Sequence, residues 1–190
     1  AENTEGAKII YPSNIHTIIL HTYTTNNKKS GMEKIVIYQI FTRLFGNRNV
    51  TCKQNGSLEE NGVGKFNDID SSVLRRFTGV IRHATTHDYS AYGMPANHPA
   101  IVKGKAGSPY AVTDYYDVDP DMAVNIPERM AEYESLISRT HKSGMKVVMD
   151  FVPNHVAREY NSISCPEGVR GLGADDNEHF HFSVKNNFYY

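Results

Sequence analysis

Apolar residues collect in a few short blocks separated by long polar stretches. Lys34-Ile35-Val36-Ile37-Tyr38-Gln39-Ile40-Phe41 is a nearly continuous β-branched run, the pattern of a strand buried on both faces, as in a parallel sheet. A polar loop rich in Gly and Asn follows from Gly46 to Lys65. Ser71–Phe77 predicts a short helix, with Val73, Leu74 and Phe77 on one face and Asp70 or Ser71 as its cap. His83–Tyr110 reads as a long loop; loops of that length inside a compact domain are functional or disordered. The clearest unit lies beyond it. Asn125 is the expected cap of a helix with Pro127 in its first turn; Met130, Tyr133, Leu136, Ile137 and Thr140 recur at helical spacing, and Gly144 is the stop. Lys146–Val152 predicts a second buried strand. A helix, a glycine stop and an apolar strand make half of a βαβ unit, which points to an α/β fold. After Asn154-His155 the pattern is irregular to Tyr190.

The first 31 residues lack any such block. Ile9–Leu20 contain only short apolar runs, broken by Pro12, Ser13, Asn14 and His16, without the basic start and the roughly 7–15-residue apolar core of a secretory signal. Residues 1–31 are expected to form a poorly ordered leader, the alternative being a strand at Thr17–Leu20 packed on the main domain.

Composition narrows the function classes. Lys+Arg 20 against Asp+Glu 21 gives a formal net charge of -1, which is no electrostatic footprint for nucleic acid. No apolar run approaches the ~18 residues of a membrane span. Cys52 and Cys165 allow at most one internal disulfide and leave the compartment undetermined. At 190 residues the chain suits one domain, and is short of the roughly 250 that a complete eight-stranded (β/α) barrel takes.

Two stretches carry candidate chemistry. The strand predicted at 146–152 ends in Asp150-Phe151-Val152-Pro153-Asn154-His155, and carboxyl ends of parallel strands gather active sites. A carboxylate, an amide and an imidazole delivered there suit a polar substrate or a metal; equally, they suit an Asp capping the following turn with its neighbours satisfying local backbone. Tyr110–Asp121 is dense in aromatics and carboxylates, the combination that stacks on and hydrogen-bonds to sugars, or else a loop that packs its tyrosines and solvates its aspartates. Asp117, Asp119, Asp121, Asn125 and Glu128 fall at calcium-loop spacing, but Met122 stands where such a loop needs Gly, and Pro120 stands between two ligand positions, which argues against an EF-hand. Gly104–Ser108 lacks phosphate-loop spacing, His179 and His181 have no third ligand at helpful spacing, and no Ser or Cys occupies a nucleophile elbow.

Taken together, these segments resemble the alpha-amylase family of glycoside hydrolases (family 13). Asp150–His155 resembles the family's first signature region, at the end of the third barrel strand. Ile37–Phe45 resembles the first strand, Asn61–Phe66 the glycine-rich entry to the first helix, and Gly107–Asp121 the loop before the second barrel helix. The resemblance runs from Glu33 to Tyr190. It implies a partial (β/α)8 TIM barrel over residues 32–155, comprising the first strands only, and the start of the inserted small domain B over 156–190. It implies retaining hydrolysis or transglycosylation of α-glucans, with a maltooligosaccharide as substrate and neither nucleic acid nor a membrane as partner.

Position by position, the resemblance implies substrate-binding roles for three residues: Tyr110 stacks on the sugar at the cleavage subsite, His155 hydrogen-bonds it, and Asp114, in the same motif as Tyr110, orients that tyrosine. Asp150 would organise the site from below, and Asn154 matches a residue that often ligates calcium. The nucleophilic Asp and acid/base Glu are expected beyond residue 190, so no catalytic residue is assigned within the chain. Two departures stand out. The helix expected at 71–77 runs straight into Thr78–His83, leaving no room for a second barrel strand, and Glu59-Glu60-Asn61-Gly62 replaces the acidic calcium loop before the first helix. The alternative function is a non-catalytic carbohydrate-binding or scaffolding derivative of the same barrel.

Overall fold

The computed structural model describes residues 40–69 and 76–188, with 76–78 described by backbone alone. Strands β1 (Ile40–Phe41), β2 (Arg76–Thr78) and β5 (Val148–Met149) form a three-stranded parallel sheet in the order β1-β2-β5. A separate antiparallel pair joins β3 (Ile81–His83) to β4 (Val112–Val118). Helix α1 (Leu58–Asn61) closes a loop after β1, and helix α2 (Arg129–Lys142) precedes β5. Among the described residues no helix is long and apolar enough to cross a membrane.

Two expectations need correction here. The helix placed at Ser71–Phe77 ends in strand: Arg76 and Phe77 belong to β2, while 71–75 lie outside the described residues. The strand thought missing is therefore present, central in the parallel sheet. Its three residues are too few to show a period. Gly79, at φ +74, then breaks the run Arg76–His83 into strands of two different sheets. Similarly, the carboxylate-rich stretch taken as a loop contains β4, a strand because Val112, Thr113 and Val118 bury against β3 and the core. Of the run Lys34–Phe41, only Ile40 and Phe41 fall within the described residues, and they are strand. The leader at 1–31 lies outside them.

Helix α2 conforms to its periodicity. Tyr133, Leu136, Ile137 and Thr140 are buried, and Met130 is partly so. Asn125 does not cap it with its side chain; a 3-10 turn at Ile126–Glu128 comes first, and the Glu132 carboxylate accepts the Val124 and Asn125 backbone N–H groups instead. The main core joins α2 to Ile40, Phe66, Ile69, Val80, Val118, Met122 and Val147, with the Phe66 and Tyr133 rings 5.4 Å apart. Beyond Met149 there is only turn and loop. Ala157, which packs with Ala84 and Val102, is the one buried hydrophobic residue described there.

Backbone approach explains two glycines. A Cβ on Gly64 would lie 1.9 Å from the Phe45 carbonyl oxygen, and one on Gly107, at φ +78, would lie 1.7 Å from that of Ala84. The glycine-rich stretch at 104–108 thus serves chain crossing.

Candidate active site

The carboxyl ends of the three parallel strands lie at one edge of the sheet, where Thr42, Gly79 and Asp150 follow β1, β2 and β5. A shallow, open cleft lies here, walled by Gly79, Val80, Pro109, Tyr110, Asp150 and Val152 among others. Tyr110 is 48% exposed, an aromatic face offered to solvent, and Asp150 is half-buried. The fold thus brings Tyr110 and Asp150 together. His155 and Asn154 sit further along the same turn, both exposed and outside the cleft wall, with His155 Nδ1 3.0 Å from Asn154 Oδ1.

Asp114 is placed differently from the other candidates. It is fully buried, and its oxygens accept from Ser162 Oγ (2.7 Å) and from the backbone N–H groups of Tyr116, Ile163 and Ser164 (2.9, 2.9 and 3.2 Å), with Arg82 3.7 Å away. Its carboxylate therefore anchors the segment after His155 onto β4 and has no face toward the cleft. Residue types in the sequence give no sign of this, because the partners are mostly backbone groups some fifty positions on. Tyr115 was equally illegible: its hydroxyl lies 2.6 Å from the Val152 carbonyl oxygen.

The remaining aspartates of this stretch form a buried ionic network. Arg129 grips Asp117 with two hydrogen bonds (2.7 and 2.8 Å), and Arg82 reaches it at 3.3 Å. Arg43, just after β1, donates to Asp119 (3.0 Å) and Asp121 (2.6 Å). His87 Nδ1 and the Tyr89 hydroxyl also donate to Asp121. Burial favours the neutral acid at both sites. At Asp121 the His87 hydrogen bond and the Arg43 charge outweigh it and hold the carboxyl well below its usual range. At Asp119 burial wins over His83 and pushes the carboxyl up. His83 lies beside it, with Nε2 3.1 Å from the Ala106 carbonyl oxygen and Nδ1 3.1 Å from Asp119 and 3.4 Å from the Ile81 carbonyl oxygen.

These partners also bear on metal binding. Asp117, Asp119 and Asp121 are committed to arginines and histidines, so they do not converge on one point as a calcium loop would. The loop around Glu59 and Glu60 is closed by amides: Asn49 Nδ2 donates to the Glu60 carbonyl oxygen (2.8 Å) and Asn47 Nδ2 to that of Asn61 (3.0 Å). Among the described residues no group of three or more His, Cys, Asp or Glu could hold a metal ion, and Asn154 has its oxygen against His155. Cys52 and Cys165 are both free thiols.

Comparison with known proteins follows the same stretch. Residues 98–180 match the family described as "Alpha amylase, catalytic domain". The chain is 28% identical to a trehalose-6-phosphate hydrolase of Bacillus subtilis over 130 residues, 67% of this chain and 18% of that protein. It is 25% identical to a cyclomaltodextrin glucanotransferase of Niallia circulans over 194 aligned residues, 87% of this chain and 25% of that protein. It thus spans a quarter or less of the length of these relatives. A crystal structure of an alpha-amylase from Lactobacillus plantarum superposes on 67% of the chain and 24% of its own, with 22% identity and a TM-score of 0.42.

Proposed function

We propose that this chain, similar over residues 98–180 to the catalytic domain of the alpha-amylase family of glycoside hydrolases, forms the sugar-holding side of an α-glucan site. Residues 32–155 would be the first strands of a (β/α)8 barrel and 156–190 the start of the inserted domain B. The observation that carries the reading is the cleft at the ends of parallel strands, with the exposed Tyr110 ring beside Asp150. An aromatic face stacks on the apolar side of a sugar ring, and a carboxylate accepts from its hydroxyls. The names of the relatives, which specify trehalose-6-phosphate and cyclomaltodextrin, support a carbohydrate ligand. In this reading Tyr110 stacks, His155 hydrogen-bonds the same sugar, Asp150 organises the cleft floor, and Asp114 acts indirectly by holding the turn's far end.

Retaining hydrolysis needs two carboxyl groups about 5–5.5 Å apart, one as nucleophile and one as proton donor. The aspartates of β4 and its turn are buried and bonded to arginine, histidine or backbone, which suits support and not attack. We therefore assign the nucleophile and acid/base to residues other than these 190, and expect the chain by itself to bind maltooligosaccharide without cleaving it. The same commitment of carboxylates favours a second reading, a binding module that never cleaves; hydrolysis by a longer polypeptide containing this chain would eliminate it.

Calorimetry with maltotriose, run beside a reducing-sugar assay, tests both parts. Binding heat without release of reducing ends is expected. No heat at millimolar sugar would sink the site, and turnover would sink the assignment of catalysis elsewhere.

A further inference from the structure

The turn that carries His155 lies largely at the surface. Strand β5 ends at Met149, and Phe151, Pro153, Asn154 and His155 are all exposed. One side chain of β4 reaches across to its backbone. The Tyr115 hydroxyl lies 2.6 Å from the carbonyl oxygen of Val152 and 3.2 Å from that of His155. A phenol has a single proton, so the Val152 carbonyl is its short acceptor and the His155 carbonyl the longer one beside it. Pro153, between them, has its φ set by its ring.

The tyrosine itself is firmly seated. Its ring lies 5.2 Å from Phe151 and 5.8 Å from Tyr160, and Tyr160 in turn lies 6.0 Å from Phe188. Burial in this ladder pushes the Tyr160 phenol up to about 12. Tyr115 reaches the turn because β4 is irregular there. Ile81 pairs with Val118 while the next residue, Arg82, pairs with Asp114, so 115–117 bulge out of the ladder and their side chains are re-aimed. Downstream, Ala157 N donates to the Val112 carbonyl (2.8 Å) and Asn161 N to that of Thr113 (2.9 Å), so the segment runs back along the same strand.

We infer that Tyr115 is a positioning residue for sugar binding: its hydroxyl, placed between the Val152 and His155 carbonyls, sets the turn that presents the His155 imidazole. The inference rests on the reading of His155 as a sugar contact and extends it to a residue that touches no sugar.

Tyr115→Phe keeps the ring and its ladder and removes only the hydroxyl, so the variant is expected to fold; its urea midpoint is measured alongside. The first readout needs no ligand. In proton–carbon spectra of histidine-labelled chain, the His155 ring resonance, assigned by its loss in His155→Ala, is expected to move or broaden in Tyr115→Phe while the other histidines stay. Tyr160→Phe, which removes the neighbouring hydroxyl, is expected to leave it in place. The second readout is maltotriose affinity. Kd is expected to rise about five- to tenfold, the factor that follows if the competent turn falls to about a fifth or a tenth of the population. In a His155→Ala background the same change is expected to cost nothing further. An unmoved His155 resonance overturns the inference, as do losses that simply add in the double variant. Should the wild-type chain give no binding heat, the sugar reading fails by itself, and the resonance still decides whether Tyr115 holds the turn.

Discussion

Two halves of this molecule are held together by different physics. Residues 40–69 and 79–149 close around a contiguous apolar core, in which Phe66, Ile69, Val80, Tyr133 and Leu136 are essentially fully buried. Residues 156–188 bury little, and Phe180, Phe182 and Val184 are exposed at 61%, 82% and 101%. In that half, carboxylates take the place of a core. Asp114 collects the backbone of 163 and 164, and Asp176 accepts from Asn187 N (2.7 Å), Asn187 Nδ2 (2.8 Å) and Phe188 N (2.7 Å). Burial is non-directional and cooperative, whereas a carboxylate bonded to a few N–H groups orders a segment locally. The first half should therefore fail as a whole and the second piecewise.

The contrast breaks most sharply at Leu136. Leu136→Ala removes a fully buried side chain, and a loss of about 2–5 kcal/mol in global stability is expected from urea unfolding. Next comes Gly107→Ala, where the added Cβ meets the Ala84 carbonyl; a cost of about 1–3 kcal/mol for the strained backbone is expected, read by the same measurement. Asp114→Ala leaves the Ile163 and Ser164 N–H groups without their acceptor. Hydrogen exchange should accelerate at 162–164 by about tenfold or more while the amides of α2 keep their protection, consistent with a local penalty of about 1–3 kcal/mol. Equal acceleration in both regions would erase the distinction between the halves.

Acid offers a milder probe. The folded-state pKa of Asp121 lies below its unfolded value, so the unfolded chain binds the extra proton. Its contribution is fully present above about pH 4 and fades as pH falls below that. Urea midpoints between pH 7 and pH 3 should decline, and Asp121→Asn should flatten the decline. Asp119, whose carboxyl is pushed up, acts in the opposite sense and softens the slope without reversing it. Smallest in stability is Tyr110→Ala: a half-exposed ring should leave the urea midpoint within about 0.5 kcal/mol while weakening maltotriose binding about tenfold.

How legible this was in the sequence depends on the range of the forces involved. Helix α2 could be read because its core face repeats with its own period, so Tyr133, Leu136 and Ile137 announce themselves. Asp150 could be placed at a site because sheet topology delivers strand ends to one edge, and Tyr110 joined it through the family resemblance alone. Strand β2 could not be read, since three residues show no period and Phe77 fits a helical face as well as a strand. Nor could the role of Asp114, whose partners are backbone N–H groups some fifty residues away. The same holds for the cap of α2, where the Glu132 carboxylate took the place expected of Asn125 because it lies one turn inside the helix and can reach two N–H groups at once.

The ionic network beside the cleft has one more consequence. Four carboxylates, of Asp114, Asp117, Asp119 and Asp121, face three guanidinium groups, of Arg43, Arg82 and Arg129, and the Lys65 ammonium donates to the Asp121 and Ala123 carbonyl oxygens beside them. The most acidic stretch of the chain is thus closely charge-compensated within its own walls and projects little field into solvent. A charged ligand gains nothing from approaching it, while an uncharged polyol meets no ionic barrier, and its affinity should hold within about twofold between low salt and roughly 0.5 M.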